Sequence, residues 1–140
     1  MKRNIAYRYR AYPSETQAVL LAKTFGCARF LWNQMLADIM AYYEKEHKAL
    51  YPTPAQYKSD YEWLREVDSL ALANVQLQLK KAFRRFFKDK KTGYPNFKTK
   101  HHSKRSYTTN LVNGNIMVLD HSIRLPKLKE IKIKKHRNAP

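Results

Sequence analysis

The chain opens with a stretch in which hydrophobic and polar positions alternate. Over residues 4–12, one face carries isoleucine, tyrosine and alanine, and the other face includes Arg8 and Arg10. Alternation with a period of two predicts a β-strand, here with a basic outer face. Pro13 is expected to end this strand.

The spacing of apolar residues then changes to that of a helix. Ser14 and Gln17 have the three-residue separation of a capping box. They predict the start of a long helix that ends near Tyr51, with Gly26 either breaking it or allowing a neighbour to approach closely. The expected apolar face, spaced by three and four residues, consists of Phe25, Ala28, Trp32, Met35, Leu36, Ile39 and Tyr43.

Two further helices are predicted after this one. Thr53, followed by a proline at the first helical position, is a start signal for a shorter helix that runs to about Val67. Asp68 is expected to cap a third helix, which ends within residues 89–93. Its predicted buried stripe consists of Leu72, Val75, Leu79, Phe83 and Phe86.

The remainder of the chain has the character of strands. Residues 107–109 are rich in β-prone side chains, and residues 113–115 read Asn-Gly-Asn, a strong turn signal. Short strands are predicted at residues 116–119 and 123–125, and alternation returns at residues 129–134. A single N-terminal strand cannot fold alone, so we expect it to pair with the C-terminal strands. The expected fold class is α+β, with a helical bundle inserted into a small barrel or sheet.

Composition limits the class of protein. With 140 residues and 44% hydrophobic side chains, the chain can bury a core of one domain or two small ones. The one cysteine, Cys27, excludes an internal disulfide and a zinc site of paired cysteines, and we expect it to be buried. Neither a signal peptide nor an apolar run long enough to span a membrane is evident. These features predict a cytoplasmic protein without a membrane partner.

Charge is distributed unevenly along the chain. Residues 1–79 hold 10 basic and 8 acidic side chains, net +2, whereas residues 80–140 hold 18 and 3, net +15. Between Lys80 and Arg105, eleven lysines and arginines accompany the single acid Asp89, interspersed with phenylalanine and tyrosine. Such a run indicates a polyanionic partner, and nucleic acid is the first candidate.

Signals for catalysis are weak by comparison. Most of the acids lie in the helical half without the spacing of a metal site, and the chain has only three glycines, so it has no glycine-rich phosphate loop. His101 and His102 are adjacent, but phosphate contact is a better interpretation of them than metal binding. We therefore predict no catalytic residue, no metal and no cofactor.

The cations of residues 80–105 could be an ordinary solvated helix face, but their density without acids favours anion binding. Phe83 and Phe86 are expected in the core, whereas Tyr94 and Phe97 could equally stack on bases or pack internally. The side chains predicted to bind nucleic acid are Arg8, Arg10, Lys81, Arg84, Arg85, Lys88, Lys90, Lys91, Tyr94, Phe97, Lys98, Lys100, Lys104 and Arg105.

Several ordered segments resemble one known family. Residues 24–33 are similar to the opening helix of the TnpB (OrfB) proteins, and residues 69–87 to their second conserved helix. Residues 93–98 look like their Gly-Tyr-Pro-x-Phe-Lys signature, and residues 106–107 and 123–128 follow in the same order. These proteins are compact RNA-guided DNA nucleases encoded by bacterial and archaeal insertion sequences.

The resemblance implies a fold and a ligand. It implies a first strand of a wedge-type β-barrel at residues 1–13, a helical recognition domain at 14–92 and the remaining barrel strands at 93–140. The implied ligands are the guide RNA scaffold, the guide–target heteroduplex and target-adjacent DNA. By the same resemblance, Ser69 and Asn74 would face that DNA.

The resemblance also has a limit. The family's RuvC-like nuclease domain and zinc finger lie beyond the part that matches residues 134–137, so the expectation is a non-catalytic binding module. The alternatives are a truncated regulator or inhibitor that competes with the full-length nuclease, or the recognition subunit of a split nuclease. A nuclease-domain chain or a full-length homologue would then be a protein partner.

Overall fold

The computed structural model describes residues 3–135 of the chain. Residues 1–2 and 136–140 lie outside the described part. The described part therefore lacks the outer ends of the predicted segments 1–13 and 93–140. It also lacks residues 136 and 137 of the segment 134–137, which resembles the TnpB (OrfB) proteins.

The chain forms two compact units. One, which we call the sheet unit, comprises the residues up to Leu21 and those from Leu111 onward. The other, the helical unit, comprises Ala22–Asn110. The predicted division into three segments stays a prediction, with its boundaries at residues 1–13, 14–92 and 93–140.

The sheet unit contains one antiparallel sheet. Its strands are β1 (Arg10–Tyr12), β2 (Met117–Val118), β3 (Ser122–Leu125) and β4 (Lys129–Lys134). They lie in the order β1-β4-β3-β2, and Ala11 of β1 is opposite Ile133 of β4. The predicted pairing of the N-terminal strand with the C-terminal strands is therefore confirmed.

Burial along β4 follows the predicted alternation. Ile131 and Ile133 are buried, and the lysines next to them are exposed. Of the predicted strand at residues 4–12, only Arg10–Tyr12 is paired. The described strands form an open sheet with β1 and β2 at its edges, so the wedge-type barrel is not confirmed, whereas the α+β class is.

The first helix, α1 (Glu15–Glu46), begins at the predicted capping box. The Ser14 N–H donates to Gln17 Oε1 at 2.9 Å, and the Gln17 N–H donates to Ser14 Oγ at 3.2 Å. Gly26 lies inside the helix without breaking it. The helix ends five residues before the predicted end near Tyr51.

The buried face of α1 differs from the predicted one. Phe25, Ala28 and Ile39 are only half-buried. Tyr43 is 61% exposed, because residues 40–46 extend past the core with every side chain exposed. Trp32, predicted as core, is 7% exposed. The residues that α1 buries are Thr24, Cys27, Leu31, Trp32, Met35 and Leu36.

The second predicted helix is interrupted. Instead of running to Val67, it consists of α2 (Pro54–Lys58) and a separate 3₁₀ helix at Glu62–Glu66. Each piece is anchored by one buried side chain, Tyr57 in α2 and Leu64 in the 3₁₀ helix. Five residues are too few to form a stable helix alone, so tertiary packing determines this segment.

The third helix, α3 (Ser69–Lys88), begins and ends as predicted. Asp68 caps it, accepting a hydrogen bond from the Leu70 N–H at 2.9 Å. Phe83 and Phe86 are half-buried rather than core. The fully buried apolar stripe is Ala71, Leu72, Val75 and Leu79.

Residues 107–109 do not form a strand, although their side chains are β-prone. Their polar atoms bond to side chains of the α3 region instead: the Thr108 carbonyl accepts from Asn74, and the Thr109 hydroxyl donates to the Asp68 carboxylate.

Of the helices within residues 3–135, none has both the length and the apolar character needed to cross a bilayer.

Candidate nucleic-acid interface

The last turns of α3 carry a concentrated set of cations. The five cations, all of them exposed, are Lys80, Lys81, Arg84, Arg85 and Lys88. Residues three and four apart are neighbours on a helix, so Lys81 lies beside both Arg84 and Arg85. Each such like-charge pair costs about 0.2–0.5 kcal/mol in an isolated helix. An anion bound to this face would remove that repulsion.

No carboxylate within residues 3–135 forms an ion pair with the cations of residues 80–105. The ion pairs of the described chain lie elsewhere, between Lys23 and Glu66 and between Arg124 and Glu130. The one acid in the run, Asp89, accepts the backbone N–H of Lys91 at 3.0 Å and caps the 3₁₀ helix after α3. The cations therefore remain available to an external anion.

The chain turns sharply after this 3₁₀ helix, Lys90–Thr92. Gly93 follows with φ 85° and ψ 155°, a conformation that only glycine adopts at low cost. Its N–H donates to the Lys90 carbonyl at 3.2 Å. This turn directs residues 94–98 back along the helical unit, and it gives the glycine of the sequence signature a backbone role.

Tyr94 packs against the end of α3. Its ring meets those of Phe83 and Phe86 edge to face, with both centroids 5.3 Å away. Desolvation raises the pKa of Tyr94, which nevertheless stays 39% exposed. Of the two roles open for Tyr94, the structure shows packing. Lys90 extends the cluster, with Nζ 5.3 Å from the Phe86 centroid.

Two phenylalanines stay largely exposed beside these cations. Phe97 is 52% exposed, so its ring is accessible, and stacking on a base stays a prediction. Phe87 is 68% exposed although it contacts Phe83 and Phe86. Phe87 was not predicted as a site residue; the available signal was its position next to Phe86, about 100° from that residue around the helix and among the cations.

Residues 96–98 are held by two neighbouring side chains of α1. Trp32 Nε1 donates to the Asn96 carbonyl at 2.8 Å. Asn33 bonds to both backbone groups of Lys98, accepting from its N–H at 2.7 Å and donating to its carbonyl at 2.8 Å. The Lys98 ammonium lies 4.1 Å from the Trp32 ring centroid, and desolvation lowers the pKa of Lys98.

A groove runs beside this contact within the helical unit, with a volume of about 770 Å³. Arg85, Lys98 and Lys104 contribute cations to its lining, and Phe97 and Tyr107 contribute rings. The structure thus brings together side chains from α3 and from the later loop, and binding of nucleic acid by them stays a prediction. The remaining predicted cations of this region, all exposed, are Lys90, Lys91, Lys100 and Arg105.

Ser69 and Asn74 lie in different environments. Ser69 is exposed at the start of α3. Asn74 is 9% exposed, and its Nδ2 contacts the carbonyls of Leu70 and Thr108 and Oδ1 of Asn110. A contact from Asn74 to DNA would therefore have to use its side-chain oxygen. DNA binding by these two residues stays a prediction.

The sheet unit has a basic surface of its own. Arg8 and Arg10 are exposed, and Arg10 is directly opposite Lys134 in the sheet. Like charges opposite each other in a sheet are destabilising unless an anion lies between them. Lys132 and Lys134 lie in the segment of predicted alternation at residues 129–134 and were not predicted as site residues. Their place beside β1 depends on strand register, which the sequence does not specify.

The described residues contain no metal-binding arrangement. Among residues 3–135, no group of three or more histidine, cysteine, aspartate or glutamate side chains could hold a metal ion. His101 and His102 are exposed among the loop cations. Cys27 is buried, and this burial raises the pKa of its thiol.

Comparisons with known proteins relate this chain to others. Residues 1–48 match the OrfB IS605 family model, described as a helix-turn-helix domain. Among residues 3–48, the structure has β1 and the single continuous helix α1. A Streptomyces pristinaespiralis protein named "Putative RNA-guided DNA endonuclease" is 32% identical over 108 residues, 72% of this chain and 27% of that protein. The chain therefore spans about a quarter of that relative's length.

A second relative is the virulence protein VsdF of Salmonella dublin. It is 31% identical over 105 residues, which cover 64% of this chain and 88% of VsdF. The similarity thus extends over most of VsdF but over only a minor part of the Streptomyces protein.

Proposed function

The chain belongs to the OrfB/TnpB family and carries its N-terminal region, and on this basis we propose that it is a non-catalytic module that binds guide RNA and target DNA. The family match indicates nucleic-acid binding in general. The finer proposal is that the module binds the guide RNA scaffold, the guide–target heteroduplex and target-adjacent DNA.

One observation carries the proposal. The cations of residues 80–105 are exposed, in no ion pair within the described chain, and interspersed with exposed aromatic rings. Lysine and arginine side chains on such a surface bind phosphates whatever the sequence, while rings stack on unpaired bases. Sequence specificity would come from base pairing by the guide RNA.

Salt dependence tests the electrostatic part of the proposal. We expect affinity for a structured RNA, measured by fluorescence anisotropy, to fall about a thousandfold or more between roughly 50 and 200 mM salt. Such a fall corresponds to six or more neutralised phosphates. An affinity that stays constant over this range would exclude phosphate contacts as the main source of binding.

Identifying the co-purified nucleic acid tests the finer part. The protein would be purified at low salt, and the RNA and DNA that accompany it would be sequenced. A discrete structured RNA from a transposon end would support guide-scaffold binding. A heterogeneous mixture released by moderate salt would contradict it, although general nucleic-acid binding would remain.

A second candidate function is supported by the match to VsdF, which extends over 88% of that relative. A protein made mostly of this region could compete with a full-length nuclease for guide RNA or target. Expression together with such a nuclease should then reduce DNA cleavage, and the control would be a variant without the α3 cations. A recognition subunit of a split nuclease would instead be required for cleavage by its partner chain.

A further inference from the structure

We infer that Phe97 and Lys98 form a site for one unpaired nucleotide, in which the ring stacks on the base and the ammonium binds the adjacent phosphate. This inference rests on the proposed function and deepens it, because it names the ligand of one part of the same surface. It also assigns a role to Asn33, which positions the two residues.

The backbone around Phe97 is fixed on both sides. Trp32 holds the Asn96 carbonyl on one side, and Asn33 holds both backbone groups of Lys98 on the other. A short loop segment with three such hydrogen bonds has little freedom left to lose when a ligand binds. Pre-organisation of this kind raises affinity, because the cost of ordering is met during folding.

The two side chains are presented in complementary ways. Phe97 is 52% exposed, so more than half of a large apolar side chain faces solvent although its backbone is held in place. Lys98 lies over the Trp32 ring, which limits the positions that its ammonium can take. A fixed cation next to an exposed ring matches a nucleotide, which has a charged phosphate and a flat apolar base.

The groove supplies the space for this ligand. Phe97 and Lys98 both line it, and its volume of about 770 Å³ is within the usual range of ligand sites. Arg85 and Lys104 line the same groove and could bind neighbouring phosphates. A base inside a duplex is stacked on both faces, so an unpaired nucleotide offers Phe97 a face that an internal base pair does not.

The test compares single strands with a duplex. The probes are a fluorescent oligouridylate and an oligothymidylate of about ten nucleotides, and a blunt RNA duplex without unpaired bases. Phe97→Ala should reduce the ratio of single-strand to duplex affinity by about five-fold to a hundred-fold. Lys98→Ala should weaken binding to all probes and reduce the salt slope by about one. Tyr51→Ala, which removes a ring that is 74% exposed in the same unit, is the matched control and should leave the ratio unchanged.

Asn33 is tested through the residues it holds. Asn33→Ala should lower single-strand affinity in the wild-type background but not in a Phe97→Ala/Lys98→Ala background, because it acts through those side chains. Asn33→Asp keeps the acceptor for the Lys98 N–H, but its second oxygen cannot donate to the Lys98 carbonyl, so it too should lose single-strand affinity. This variant serves if Asn33→Ala fails to fold, as judged by its melting temperature.

The outcomes separate the inference from the proposed function. If the wild-type protein binds all probes and Phe97→Ala leaves the ratio unchanged, the nucleotide site is wrong and general nucleic-acid binding stands. If the wild-type protein binds none of the probes, both are wrong. A larger effect of Phe97→Ala on the uridylate than on the thymidylate would assign the site to RNA, and the reverse would assign it to DNA.

Discussion

The two halves of α3 use polar side chains in opposite ways. In the first half, which we take as residues 69–79 with the capping residue Asp68, the polar groups of Asn74 and Asp68 are buried and hydrogen-bonded to residues 108–110. At residues 80–88, the polar groups are cations that are exposed and in no ion pair within the described chain. One continuous helix thus joins a stabilising segment to a segment that is open to an anion.

This difference has a simple energetic basis. A buried polar group destabilises the fold unless it has a hydrogen-bond partner, so the polar groups of Asn74 and Asp68 are committed to internal contacts. An exposed cation has no such requirement, since water solvates it. Substitutions of the buried residues in the first half should therefore change stability, and substitutions of the cations in the second half should change binding.

The largest expected effect is on stability, from the first half. Leu72 is fully buried, and Leu72→Ala should lower the free energy of unfolding by about 2–5 kcal/mol through lost burial and a cavity. The matched control is Leu77→Ala, at a position on the same helix that is 52% exposed. It should lower the free energy of unfolding by about 0.5 kcal/mol or less. Urea denaturation followed by circular dichroism measures both. Equal losses from the two variants would contradict the register of α3.

The start, the buried face and the end of α3 could be predicted from the sequence because the signals for them are local. The cap at Asp68, the apolar stripe from Leu72 to Leu79 and the turn at Gly93 each depend on residues within a few positions. The pairing of β1 with the C-terminal strands was also predicted, since a single strand requires a partner, but the choice of β4 was not.

The contacts that hold the candidate site could not be predicted in this way. Asn33 and Lys98 are 65 positions apart, and nothing in the local pattern of either residue indicates the other. The same holds for Asn74, which reads as a polar surface residue until residues 108–110 are placed against it. Long-range hydrogen bonds depend on tertiary packing, which the periodicity of one chain does not encode.

The second prediction concerns the cations of the second half. Changing Lys81, Arg84, Arg85 and Lys88 together to alanine should weaken binding of RNA and DNA about a hundredfold or more near 0.15 M salt. The salt slope should fall by about three to four, and the loss should be similar for all nucleic-acid sequences. Anisotropy titrations at several salt concentrations measure both quantities.

A matched variant distinguishes a local surface from net charge. Changing four cations elsewhere in the helical unit removes the same charge, and the set is Lys45, Lys48, Lys58 and Arg65. This control should lower the salt slope much less than the first variant. If the two variants weaken binding equally, the total charge of the protein explains the affinity, and the comparison of the two halves of α3 loses its functional meaning.

The third prediction examines the two residues of the first half for which DNA contact is proposed. Asn74→Ala should lower the free energy of unfolding by about 1–3 kcal/mol, because the Thr108 carbonyl and the Asn110 side chain lose their donor. Ser69→Ala, at an exposed position, should change stability by about 0.5 kcal/mol or less. If Ser69→Ala weakens binding to one DNA sequence and not to others, the first half also reads DNA, and the division between the halves is less strict.

The smallest expected effect appears at alkaline pH, where buried and exposed polar groups respond differently. Tyr57 is 8% exposed and its hydroxyl donates to Asp38 Oδ2 at 2.7 Å; burial first, and then this bond, raise the pKa of Tyr57. The unfolded chain releases the tyrosine proton near pH 10 while the folded chain keeps it, so stability is constant below that pH and falls above it. Tyr57→Phe should reduce this loss between about pH 9 and 11, as urea titrations would show. Some loss should remain, because burial also raises the pKa of Tyr107. Desolvation lowers the pKa of Lys98, in contrast to the tyrosines. As the pH rises, its ammonium should therefore lose its proton, and its phosphate contact should weaken, before the pH reaches the ordinary lysine pKa. A loss of binding that occurs only together with unfolding would contradict the role of Lys98 at the surface.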